Sequence, residues 1–65
     1  MKVYPNNDGS YDVVNLNKVL FHVEEGRPLK LIGRVNEKWQ HPRKRLNTIP
    51  LSVLRWEGEI ISKKL

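Results

Sequence analysis

The 65 residues include twelve lysines and arginines against seven acids, with no cysteine, for a formal net charge of +5. A chain this short makes one small domain, which hides only about 60% of the surface its unfolded form exposes. The composition excludes a disulfide framework and a thiolate zinc site, and no apolar run approaches the roughly 20 residues that span a bilayer.

The lack of cysteine fits a reducing interior, and the amino terminus MKVYPNNDGS has no apolar secretory stretch. A cytoplasmic location with no membrane partner is expected. Charge divides unevenly along the chain. Residues 1–25 carry two lysines against four acids, whereas residues 26–65 carry ten basic residues against Glu37, Glu57 and Glu59. Asymmetry of this kind points to a polyanionic partner, although small domains also carry such charge simply for solubility.

Lys2-Val3-Tyr4 reads as a short strand, ended by the turn-rich Pro5–Ser10. Tyr11–Val14 returns as a second strand, which makes an amino-terminal β-hairpin with a long loop. Between Leu16 and Val35 two periods compete. As a strand, Lys18–Glu24 places Val19, Phe21 and Val23 on one face and Lys18, His22 and Glu24 on the other. Leu29, Leu31, Gly33 and Val35 then line one face of the next strand, with Lys30 and Arg34 together opposite. Glu24-Glu25-Gly26-Arg27 suits the connecting turn. As helices, Leu16, Val19, Leu20 and Val23 fall at i, i+3, i+4 and i+7, and Ile32, Val35 and Trp39 stripe a second helix that starts near Pro28. The absence of alanine and the eleven valines and isoleucines favour the strands. Gly33 in a helix interior would also cost about 1 kcal/mol relative to alanine.

Asn36–Asn47 has little apolar content beyond Trp39 and Leu46 and reads as an extended basic loop, with Pro42 opposing a helix. Thr48-Ile49-Pro50 reads as a helix start, with Thr48 or a neighbour capping and Pro50 in the first turn. Leu51, Val53, Leu54 and Trp56 would then pack inward, and Gly58 would stop the helix. The competing reading pairs Val53–Trp56 with Glu59–Ser62 around Glu57-Gly58. Ile60 and Ile61 add a final strand or helical extension, Lys63 and Lys64 are solvated, and Leu65 sits at a frayed end.

No catalytic signature emerges. His22 and His41 are the general-base candidates that titrate near neutrality, Ser10 and Ser52 lack a pattern of activation, and there is no Gly-rich phosphate loop. The histidines lie nineteen positions apart without metal-ligand spacing, so no metal or cofactor is expected.

The stretch Arg27–Arg45 is different. It holds seven of the twelve basic residues and one acid, Glu37. Arg27, Lys30, Arg34, Lys38, His41 and Arg45 recur every three or four residues, and Arg43-Lys44-Arg45 forms a triplet. Arg43 and Arg45 suit bidentate phosphate contact, while Lys44 acts as a point charge. Trp39 either closes the core or stacks on an exposed base.

The basic segment followed by Ile49-Pro50 and a short apolar helix resembles the end of a winged-helix DNA-binding domain, through Arg45, Ile49-Pro50 and Leu54. That resemblance implies a mostly helical alternative fold and carries no function over. The residues themselves favour a small β-rich α+β domain over residues 1–65: two β-hairpins, the basic loop 36–47 and one short helix. The expected function is non-enzymatic binding of nucleic acid, DNA or RNA, in a regulatory or accessory role. The contacts would come from Arg27, Lys30, Arg34, Lys38, Trp39, His41, Arg43, Lys44 and Arg45. The alternative is a small inhibitor or adaptor, of the kind that mobile elements encode, docking on the acidic surface of a larger protein.

Overall fold

β-branched and aromatic residues on a pleated strand can bury one side, and in the first half of the chain three strands do this while a fourth pairs beside them and stays largely exposed. The computed structural model describes residues 1–64, so the expectation for Leu65 lies outside the described residues. Strands β1 (Lys2–Pro5), β2 (Tyr11–Val14), β3 (Val19–Val23) and β4 (Lys30–Arg34) form one antiparallel sheet in chain order. The two expected hairpins are thus joined by a β2–β3 pairing into a single meander.

Polar side chains shape the first two turns, and a glycine shapes the third. Asp8 Oδ1 accepts the Ser10 N–H at 3.0 Å in the first. Asn15 Oδ1 accepts the N–H groups of Asn17 and Val19, each at 2.9 Å, in the second. In the third, Gly26 takes a φ of +75° that side chains rarely tolerate, and the Arg27 N–H bonds to the Glu24 carbonyl at 3.2 Å.

Val3, Val13, Val19, Phe21 and Val23 face one way and meet Val53 and Ile60 from two short helices, α1 (Leu51–Leu54) and α2 (Glu57–Ser62). Asn15 locks the layers together. Its Nδ2 donates to the carbonyls of Ile60 at 3.0 Å and Lys63 at 2.9 Å, so one buried side chain serves the β2–β3 turn and the end of α2 at once.

Several local expectations are corrected. The single helix is two, and Gly58 lies inside α2 instead of stopping a helix. Glu57 and Glu59 in the first turn of α2 favour helix there, and the helical continuation replaces the tight hairpin. Pro50, not Thr48, occupies the N-cap of α1, without a side-chain cap. One helical turn can aim only one residue at the sheet, and that residue is Val53. Leu51 and Leu54 point outward, 82% and 42% exposed. Trp56 packs against the core, partly buried.

The mostly helical, winged-helix-like alternative is not supported, because residues 19–34 hold β3 and β4. A further correction concerns β4. Lys30 pairs with His22 and Leu31 with Phe21, but Gly33 pairs with Leu20 and Arg34 with Val19. Ile32 is the extra residue of a β-bulge, and Gly33 carries the unusual φ of +155°. The bulge inverts the facing, so Lys30 and Arg34 do not share a face as simple alternation predicts.

Candidate nucleic-acid interface

The register lines up Tyr4, Asp12, His22 and Lys30 as neighbours across all four strands, on the face opposite the core. The basic loop settles on this row. Leaving β4, the chain bonds the Val35 N–H to the Lys18 carbonyl at 2.8 Å. Asn36 then turns it, its Oδ1 accepting the Lys38 N–H at 3.0 Å and its carbonyl the Trp39 N–H at 3.2 Å. The turn brings Trp39 and His41 back over the sheet. His41 stacks on Tyr4, with centroids 4.6 Å apart and planes 13° from parallel, and Trp39 meets Tyr4 edge-on at 5.8 Å.

Asp12 is the hub of the face. Its Oδ2 lies 2.7 Å from His41 Nε2 and its Oδ1 2.8 Å from His22 Nδ1. His41 Nδ1 accepts the Arg43 N–H at 3.0 Å, so the proton sits on Nε2 and points at Asp12. His22 Nε2 reaches Glu24 Oε1 at 2.9 Å, and Glu24 Oε2 lies 3.2 Å from Arg27 Nε. Burial pushes the Asp12 carboxyl up, but hydrogen bonds from His22, His41 and Asn6 outweigh it and hold the group below its ordinary 3.8. The Asp12 hydrogen bond, opposed by burial and joined by Glu24, raises His22 above 6.5.

All four imidazole nitrogens are therefore engaged within the protein, and acting as a base or ligand would first break one of these bonds. Among the described residues no group of three or more histidines and acids is placed to hold a metal ion.

The nine residues singled out in the sequence fall into three sets. His41 is turned inward, its side chain only 5% exposed, and Trp39 is partly buried beside it. Arg27 is exposed but paired with Glu24. Lys30, Arg34, Lys38, Arg43, Lys44 and Arg45 are exposed, and among the described residues none of the six has an acidic partner within ion-pair distance. The Arg43–Arg45 triplet is strung between two anchors. One is the His41 ring. The other is Leu46, whose N–H bonds the Val3 carbonyl at 2.8 Å and bridges the outer edge of β1.

Sequence reasoning did not single out Tyr4 or Asp12 for this face. Their signal was polar and aromatic residues alternating with valines, which becomes a row only when four registers are known. It also passed over Lys2 and Lys18, which with Tyr4, Val14, Glu37 and Trp39 line a cleft of about 180 Å³ between the sheet and the start of the loop. The chain matches no family model, no curated protein and no solved structure.

Proposed function

We propose that this protein is a small non-enzymatic nucleic-acid-binding domain, regulatory or accessory in role, that grips phosphates through its basic loop. The observation that carries the reading is that Lys38, Arg43, Lys44 and Arg45 of the basic loop, with Lys30 and Arg34 on β4, are exposed and have no acidic partner among the described residues. A cation already neutralised by a neighbouring acid gains little from a phosphate, whereas a free one displaces condensed counterions as it binds. Arg43 and Arg45 provide planar donors for phosphate oxygens.

The test is a fluorescence-anisotropy titration of labelled DNA and RNA across a salt series. Affinity should fall steeply with salt, by about −0.9 in the log–log slope for each duplex phosphate neutralised. Absence of binding at low salt, or affinity indifferent to salt, would sink the proposal.

A second reading is favoured by a different observation. Leu51, Leu54 and Ile61 are 82%, 42% and 52% exposed on the helices, more apolar surface than phosphate binding requires. In that reading the protein is an inhibitor or adaptor docking on an acidic protein. A pull-down with and without nuclease separates the two, since a stoichiometric protein partner that survives nuclease supports the second.

A further inference from the structure

The cleft beside Trp39 has the makings of a site for a planar ring. Trp39 stands 80° from Tyr4 and 67° from His41, so neither ring lies parallel on the indole. Tyr4 adds a second aromatic wall, while Val14 supplies an apolar floor from β2. Lys2 and Lys18 stand at the same cleft, from β1 and the β2–β3 turn. Neither lysine belongs to the basic loop, so they add positive charge to the cleft from the sheet and its second turn.

At about 180 Å³ the space falls below the roughly 300 Å³ of ordinary cofactor pockets. It suits one flat ring inserted from outside and not an enclosed ligand. The acid here is Glu37, 3.5 Å from Lys18 and with its side chain 89% exposed. An exposed pair of that kind is weak and screened by salt, so a phosphate can displace Glu37 at little cost.

We infer that the Tyr4–Trp39 cleft seats one unstacked nucleobase while Lys2 and Lys18 hold an adjoining phosphate, making single-stranded nucleic acid the preferred ligand. This rests on the nucleic-acid reading above and narrows it. A duplex keeps its bases paired and stacked, so it offers the protein phosphates but no free ring. Stacking on an aromatic side chain tolerates any base, because every base has a π-face. Phosphate contact alone would favour the duplex, whose charge density and counterion release are greater. The two modes thus predict opposite preferences.

The experiment compares a labelled thymidine 12-mer with a duplex of equal length, by anisotropy on the unaltered protein at one low salt concentration. The single strand should bind roughly tenfold tighter, within the range that one stacked base supplies. Tryptophan emission is followed in the Trp56→Phe variant, which leaves Trp39 as the reporter, and should be quenched by the single strand. Glu37→Gln alters a fully solvated side chain and so leaves folding intact. It should tighten single-strand binding at least twofold more than it tightens duplex binding. Equal or tighter duplex binding without a change in Trp39 emission overturns the base seat and leaves phosphate binding standing. Failure of both ligands to bind overturns the two readings together.

Discussion

Asp12 and His41 are 29 residues apart in sequence, yet their side chains meet at 2.7 Å on the face of the sheet away from the core. That contact decides where the basic loop lies. With the Tyr4 stack, it converts a segment of poor apolar content into a strap across the sheet.

Asp12→Ala should therefore destabilise the protein and release the loop. The carboxylate serves both histidines, and charge-assisted hydrogen bonds of this kind are worth about 1.5–3 kcal/mol. Urea denaturation should show a loss of about 2 kcal/mol, with faster amide hydrogen exchange at residues 38–45. Unchanged exchange in the loop would refute the anchoring role.

Stability should depend on pH on both sides of a plateau. His22 has a folded pKa raised above 6.5, so its contribution is complete below that value and lost as pH rises through the folded pKa. Asp12 has a folded pKa lowered below 3.8. Its contribution is present above that value and lost as pH falls through the folded pKa, with Asp8 adding to the same acidic limb. The melting temperature should be highest between about pH 4 and 6.5. His22→Gln should abolish most of the alkaline limb while keeping the acidic one.

Replacing Arg43, Lys44 and Arg45 together with alanine should leave stability within about 0.5 kcal/mol, because all three are exposed and none has an acidic partner among the described residues. Nucleic-acid affinity should drop, and the salt slope should shrink by about 1 for each phosphate contact removed. A folded triple variant with unaltered affinity and slope would move the binding surface elsewhere.

Asn15→Ala should be among the more damaging single changes. It strips partners from the Asn17 and Val19 N–H groups and from the Ile60 and Lys63 carbonyls at once. Thermal or urea unfolding should report a loss of about 2 kcal/mol or more. Leu16→Ala, one residue away but exposed, is the neutral control.

In β1 and β2 Val3 and Val13 sit between polar or aromatic neighbours on at least one side, whereas in β3 Val19, Leu20 and Val23 also fit a helical period and the abundance of valine and isoleucine decided for the strand. What sequence periodicity missed lay where the strand period breaks. The bulge at Ile32 shifts Arg34 to the other face, and the hint was Gly33, a glycine inside a strand pattern. The helical end was less legible because α1 is a single turn, too short for Leu51, Val53 and Leu54 to display a period. The resemblance through Arg45, Ile49-Pro50 and Leu54 implies a mostly helical fold, but the residues that carry it lie outside the ambiguous stretch 16–35 and cannot decide its period. Asp12 stayed hidden for another reason. A lone acid in a strand says nothing until folding brings His22 from the next strand and His41 from the loop to its two oxygens.

The strap with its two fixed ends has a kinetic and entropic meaning. A free stretch of arginines and lysines surrenders its freedom when it meets a ligand, and binding is weakened by that ordering. Here His41 and Leu46 restrict the triplet during folding, before any ligand arrives. Affinity can then be tuned from a distance: a substitution at Asp12, which touches no ligand, should lower affinity through lost preorganisation and leave the number of phosphate contacts, and hence the salt slope, unchanged.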